Sequence, residues 1–97
     1  MIIGNAKVFA DGKFIDAAVT VEQGKIVAVG KADAFDVDAK GMYLVPGFLD
    51  LHTHGAVNGD FSDGKPEDLP AMSQYYVSQG VTSFLATTMT LDRKSVV

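Results

Sequence analysis

An apolar run that ends in two closely spaced histidines constrains this chain more than any other feature. The run lies within residues 44–55, where a Pro46-Gly47 pair introduces it and a glycine ends it. Such a run predicts a buried β-strand. Because successive side chains alternate between the faces of a strand, His52 and His54 are expected on the same face. That face also carries Phe48 and Asp50, and the other carries Leu49, Leu51 and Thr53.

The shared face brings both imidazoles within reach of one metal ion. Their Cα atoms are expected roughly 6.5 to 7 Å apart, so rings that lean inward reach an ion at the zinc–nitrogen distance of about 2.0 to 2.1 Å. The same spacing also arises by chance on a solvated or hydrogen-bonded strand face. The chain has no cysteine, which leaves histidine and carboxylate as metal ligands. We therefore predict His52 and His54 as metal ligands and zinc or iron as the divalent cofactor.

The residues before the apolar run predict a small β-structure. Short segments rich in β-branched residues alternate with turns, among them Asp11-Gly12 and a hairpin turn over residues 22–25. Strands are expected over residues 2–9, 17–21, 26–29, 36–39 and 42–45. These strands indicate an antiparallel sheet or half of a sandwich, and we assign no chemistry before Pro46.

A strand–helix–strand unit is predicted after Pro46. Pro66 suits the first turn of a helix and Gly80 its end, so a helix is expected over residues 66–79 and a strand over residues 80–88. The two strands of this unit are expected to be parallel. The helical stripe predicted to pack on the sheet consists of Leu69, Met72, Tyr76 and Val77.

The polar, glycine-rich loop after the histidines contains two carboxylates that have two interpretations. Asp60 and Asp63 could be metal ligands or acid–base groups, or they could form turns beside Gly59 and Gly64. We favour turns, because aspartate commonly accepts hydrogen bonds from its own nearby backbone. Thr87 and Thr88, near the end of the next strand, are likewise expected to pack rather than to bind a substrate.

Charge and hydropathy exclude several classes of partner. The net charge is −4, and the eight basic residues are scattered, which argues against a nucleic-acid binder. No apolar run approaches the ~18 residues of a membrane span, and the first residues do not form a signal segment. We therefore expect a soluble, cytoplasmic protein with neither nucleic-acid nor membrane partners.

Pro46, Gly47, Asp50, His52 and His54 together resemble the opening barrel strand of the amidohydrolase superfamily. Residues 52–55, 59–61 and 80–90 further resemble the N-acetylglucosamine-6-phosphate deacetylase family. The resemblance implies an α/β fold in which residues 1–46 form part of a small β-sandwich domain. Residues 47–97 would then form the first βαβ unit of a metal-dependent (β/α)8 TIM barrel. Because such a barrel needs roughly 250 residues, and a helix-like pattern starts at residue 91 without a C-terminal cap, we expect a truncated, amino-terminal portion.

The resemblance also implies an activity for the complete protein. That activity is removal of the acetyl group from N-acetylglucosamine 6-phosphate, a small-molecule amino-sugar phosphate, to give glucosamine 6-phosphate and acetate, and we expect the complete enzyme to be a homo-oligomer. Having both histidines favours the two-metal members of the family. The family's other ligands and its proton-transferring aspartate lie outside this chain, so we assign no catalytic residue here. The 97 residues alone are expected to be inactive and to expose Leu49, Leu51 and Phe84.

Two alternatives stay open at the level of sequence. The first is another amidohydrolase, acting on a cyclic amide or an N-acyl amino acid, because the His-x-His pair is shared widely in the superfamily. The second is a non-catalytic β/α module that binds a metal or a partner.

Overall fold

The structure, a computed structural model, describes residues 1–90. It is a mixed α/β structure dominated by β-sheet, and the chain divides into two compact units, Met1–Pro46 and a second that begins at Gly47. The helix-like pattern expected from residue 91 lies outside the described residues. The β-sandwich and the (β/α)8 barrel that the resemblance implies stay predictions.

The first unit is a five-stranded sheet built on two consecutive hairpins. Its long strands are β1 (Ile2–Ala10), β2 (Lys13–Glu22) and β3 (Lys25–Gly30), which pair antiparallel as predicted. Asp11 and Gly12 form the first turn with φ of 51° and 78°, the left-handed conformations that two-residue hairpin turns favour. This tight turn pairs Phe14 directly with Phe9, so β2 begins before the predicted residue 17.

Two short strands complete this sheet and correct one expectation. They are β4 (Val37–Asp38) and β5 (Tyr43–Leu44), and both pair with β1 in parallel instead of antiparallel. The reason is topological, because the chain leaves β3 and returns along the free edge of β1 in the same direction as β1. The buried core of the unit is small and consists of Ala6, Val8, Val19 and Ala39.

The second unit contains the predicted strand–helix–strand connection. Strands β6 (Phe48–Thr53) and β7 (Val81–Ala86) pair in parallel, as predicted. Between them lie two 3₁₀ turns, Phe61–Asp63 and Pro66–Asp68, and the helix α1 (Leu69–Ser78). The predicted helix therefore starts as a 3₁₀ turn and becomes α-helical at Leu69. Within the described part of the chain, no helix has the length and apolar character needed to cross a bilayer.

β6 is not the buried strand that the sequence predicted. Leu49 and Leu51 are 57% and 65% exposed, whereas Thr53 at the strand end is buried. Parallel sheets are normally covered on both faces, but β6 and β7 form a two-stranded sheet with one short helix against it. The expected exposure of Leu49 and Leu51 is thus confirmed. The expectation for Phe84 is wrong, because its half-buried ring packs against those of Phe61 and Tyr76.

Because the sheet is small, only part of the predicted helical stripe is buried against it. Met72 and Tyr76 are buried at 1% and 6% exposure, as expected, whereas Leu69 and Val77 are 41% and 67% exposed. One turn separates the two buried residues, so α1 contacts the sheet along a stripe narrower than the sequence predicted.

Candidate functional site

The candidate site lies where β6 and β7 end side by side. The Thr87 N–H donates to the Thr53 carbonyl oxygen at 2.8 Å, which continues the pairing one residue past β7. His54 directly follows the last residue of β6, Thr53, and His52 lies within the strand. The carboxyl edge of a parallel sheet is where ligands bind in open and closed α/β folds. The local sequence therefore places both histidines at the carboxyl edge of the sheet, where a ligand or metal ion would bind.

The structure brings the two predicted metal ligands together. The ring centroids of His52 and His54 are 5.0 Å apart and the ring planes are nearly perpendicular, at 89°. Two imidazoles that bind one tetrahedral ion through bonds of about 2.0 to 2.1 Å have their centroids about 5 Å apart. His52 is exposed and His54 is half-buried. The spacing of the rings therefore fits two ligands of a single ion.

A backbone contact determines which nitrogen of His54 is free. His54 Nδ1 lies 2.9 Å from the carbonyl oxygen of Thr87, just past β7. A carbonyl oxygen can only accept, so Nδ1 carries the proton and donates it. The lone pair of the ring is then on Nε2, as is usual for a metal-binding histidine held by an outer hydrogen bond. Thr87 thus has a role that sequence reasoning did not assign, and it acts through its backbone.

Asp50 interacts with the backbone of the strand that carries it. Its carboxylate accepts a hydrogen bond from the His52 N–H at 3.1 Å. The strand is irregular at this point, because Asp50 pairs with Phe84 and Thr53 with Ala86, so that two residues of β6 lie opposite the single residue Leu85 of β7. Such an irregularity interrupts the strict alternation of faces assumed from the sequence. The proximity of the two histidine rings is nevertheless retained.

The loop after His54 approaches the strand end closely. The Phe61 N–H donates to the His54 carbonyl oxygen at 2.8 Å. At Gly55, φ is +142°, and a Cβ there would overlap the carbonyl oxygen of Gly59. Only glycine suits this backbone conformation and this close approach. The loop therefore packs directly on the residue that follows the second histidine.

The structure supports the turn interpretation for the loop carboxylates. Asp60 Oδ1 accepts from the Ser62 N–H at 2.8 Å and thereby caps the 3₁₀ turn that contains Asp63. Among residues 1–90, no group of three or more histidine, cysteine, aspartate or glutamate side chains could hold a metal ion. The described residues thus offer two imidazoles, fewer than the three protein ligands that a catalytic zinc site usually has.

Two polar contacts near the strand ends, one buried and one partly buried, were not predicted from the sequence. Thr53 Oγ1 and Tyr76 Oη are 2.6 Å apart, and the Met89 N–H donates to Ser62 Oγ at 2.8 Å. Tyr76 was assigned to the helical stripe by its spacing. A buried tyrosine hydroxyl needs a hydrogen-bond partner, and that requirement was the available signal that Tyr76 does more than pack.

Comparisons with known proteins agree with the resemblance found in the motifs. The chain is 37% identical over 95 residues to an N-acetylglucosamine-6-phosphate deacetylase from Lysinibacillus sphaericus, covering 93% of this chain and 24% of that protein. It is 40% identical over 80 residues to an N-acetylglucosamine-6-phosphate deacetylase from Vibrio furnissii, covering 77% and 20%. An imidazolonepropionase from Thermoanaerobacter pseudethanolicus is 48% identical over 44 residues, covering 40% and 11%.

No family model matches the chain. The chain spans about a quarter of the length of the first of these curated relatives and a fifth of the second. The predicted resemblance to deacetylases, and more broadly to a hydrolase family, is confirmed.

Proposed function

Because this chain resembles N-acetylglucosamine-6-phosphate deacetylases along 93% of its length, we propose that the protein containing it is such an enzyme. It removes the acetyl group from N-acetylglucosamine 6-phosphate and gives glucosamine 6-phosphate and acetate. His52 and His54 are ligands of its divalent metal, zinc or iron. The similarity to these deacetylases carries the proposed activity, and the 5.0 Å spacing of the two rings at the carboxyl edge of a parallel strand pair carries the ligand assignment.

The residues of this chain hold and orient the metal in this proposal. When bound, the ion would polarise the acetamide carbonyl and lower the pKa of a bound water to about 7. His54 would hold it through Nε2, because its Nδ1 donates to the Thr87 carbonyl oxygen. As neutral ligands, the two imidazoles would leave the charge of the ion available for polarising a carbonyl.

The third metal ligand and the proton-transferring group lie outside residues 1–90. A catalytic zinc ion takes about three protein ligands and keeps one position open for water. A carboxylate must also transfer a proton to the leaving amine. His52 and His54 are the only ligands proposed from the described residues, so the further ligand and the proton-transferring carboxylate come from elsewhere in the enzyme.

The test uses the complete protein that contains this chain. Bound metal is counted by elemental analysis, and acetate release is measured with N-acetylglucosamine 6-phosphate, its galactosamine epimer and the sugar without phosphate. We expect turnover of the first substrate, and a loss of about one metal equivalent when His52 and His54 are both replaced by alanine. The matched control is Gln74→Ala, an exposed position on α1, which should keep metal and activity. Unchanged metal content in the double variant would refute the ligand assignment, and a metal-loaded enzyme inert toward this substrate would refute the activity.

A second candidate is another amidohydrolase that acts on a cyclic amide or an N-acyl amino acid. The higher local identity to an imidazolonepropionase favours it, although that similarity covers 40% of this chain. The same metal-loaded preparation should be assayed with both substrate classes. Turnover of either one, without acetate release from the amino-sugar phosphate, would select this candidate.

A further inference from the structure

A buried pair of hydroxyl groups anchors the residue between the two histidines. Thr53 Oγ1 and Tyr76 Oη are 2.6 Å apart, and the two residues are 23 positions apart in the chain. Thr53 is 9% exposed and Tyr76 is 6% exposed. The contact therefore joins the end of β6 to the last turn of α1 in a place that water does not readily reach. A bond of this kind is costly to break, since water cannot replace the lost partner.

The side chain of Tyr76 is buried and packed, so its hydroxyl has a defined position. Its ring packs against the ring of Phe84 on β7, with the centroids 4.8 Å apart. The neighbouring buried side chain on the same face of α1 is Met72, 1% exposed. The Tyr76 hydroxyl is consequently positioned by a buried ring that packs on β7, which an exposed and mobile side chain of α1 could not achieve.

Thr53 is held in turn through its hydroxyl group and its carbonyl oxygen. Its hydroxyl oxygen, besides contacting Tyr76, accepts from the Gly55 N–H at 3.4 Å. Its carbonyl oxygen accepts from the Thr87 N–H at 2.8 Å. Rotation of the Thr53–His54 peptide group would break the bond to Thr87, and rotation of the His54–Gly55 peptide group would break the bond from Gly55. These two peptide groups flank His54, and Thr53 itself directly follows His52.

We propose that Tyr76 is a positioning residue for the histidine pair. Through Thr53 it keeps the end of β6 in the conformation in which the two rings have the spacing that one ion requires. This inference rests on the proposed role of His52 and His54 as metal ligands. Without the hydroxyl of Tyr76, the end of β6 is free to move before the metal binds. Binding must then also order this segment, and the affinity for the metal falls by the free energy that the ordering costs.

The decisive comparison is between Tyr76→Phe and Tyr75→Phe in the complete protein. Both variants remove one hydroxyl from adjacent residues of α1, but Tyr75 is 44% exposed. We expect Tyr76→Phe to weaken zinc binding about tenfold, measured by competition with a chelator of known affinity. The visible spectrum of the cobalt-substituted protein should change as well, because it reports ligand geometry. Tyr75→Phe should match the unmodified protein in both measurements.

A merely structural role of Tyr76 would lower the unfolding temperature without changing zinc affinity or the cobalt spectrum of the folded protein, and that result would overturn the inference. If Tyr76→Phe does not fold, Thr53→Val and Thr53→Ser decide between the two accounts. The inference requires the valine variant to lose affinity and the serine variant, which keeps the hydroxyl, to retain it. Equal affinities would refute it.

The alanine variants of His52 and His54 separate this inference from the proposed function. If the double variant loses its metal equivalent while Tyr76→Phe binds zinc normally, the ligand assignment stands and the positioning role fails. If the double variant keeps its metal, the ligand assignment fails and the positioning role fails with it.

Discussion

Replacing Gly55 with alanine is expected to displace the strand end that carries the histidines. Gly55 has φ of +142°, and a Cβ there would overlap the Gly59 carbonyl oxygen and lie 2.9 Å from the Cα of Asp60. The disfavoured backbone conformation costs about 1 to 3 kcal/mol. Forcing an extra carbon against backbone atoms costs about another 1 to 3 kcal/mol. The contact between residues 54–55 and the loop should therefore be weakened by about 4 kcal/mol, near the middle of the summed range.

Gly64, in the same loop, provides a matched control. Its φ is +61°, and a Cβ there would meet no atom within 4 Å, so Gly64→Ala should cost about 1 kcal/mol from the left-handed backbone conformation alone. The difference of about 3 kcal/mol corresponds to roughly a hundredfold in an opening equilibrium, because 1.4 kcal/mol is about tenfold.

The assay is amide hydrogen exchange at Phe61, whose N–H donates to the His54 carbonyl oxygen at 2.8 Å. We expect this amide to exchange about a hundredfold faster in Gly55→Ala than in Gly64→Ala. Equal exchange rates in the two variants would show that the close approach at Gly55 does not hold the strand end, and would refute the reasoning.

Three further predictions concern the loop and the exposed strand. Asp60→Ala should lower stability by about 1 kcal/mol because a cap is lost, whereas Asp60→Asn should keep both the unfolding temperature and the metal content; metal loss in the asparagine variant would contradict the turn interpretation. Ser62→Ala leaves the Met89 N–H without its acceptor, and because Met89 is 55% exposed water can take the place of the hydroxyl, so the change should cost about 0.5 to 1.5 kcal/mol in urea unfolding; an unchanged midpoint would argue against this contact. Residues 1–97 alone should aggregate through the exposed face of β6, and lysine at both Leu49 and Leu51 should lower light scattering; scattering that does not change would place the aggregating surface elsewhere.

Local sequence determined most of the elements and one property of the candidate site. The Asp11-Gly12 turn follows from the sequence alone because left-handed φ values, here 51° and 78°, are a property of single residues. The end of the helix near Gly80, where φ is +80°, follows for the same reason. His52 and His54 are neighbours because a two-residue spacing in an extended chain brings side chains to the same side. The motifs that these residues form also sufficed to identify the resemblance to deacetylases.

Tertiary structure decided everything that depends on segments far apart in the chain. The sequence pattern of β6 contains no information about what covers each face, so it could not show that Thr53, predicted on the same face as the exposed Leu49 and Leu51, is buried. The bond that frees Nε2 of His54 comes from a carbonyl 33 residues away, and every residue has a carbonyl, so no residue type signals it. The partner of Thr53 is a hydroxyl on α1, and only the packing of α1 against β7 brings Tyr76 within hydrogen-bond distance.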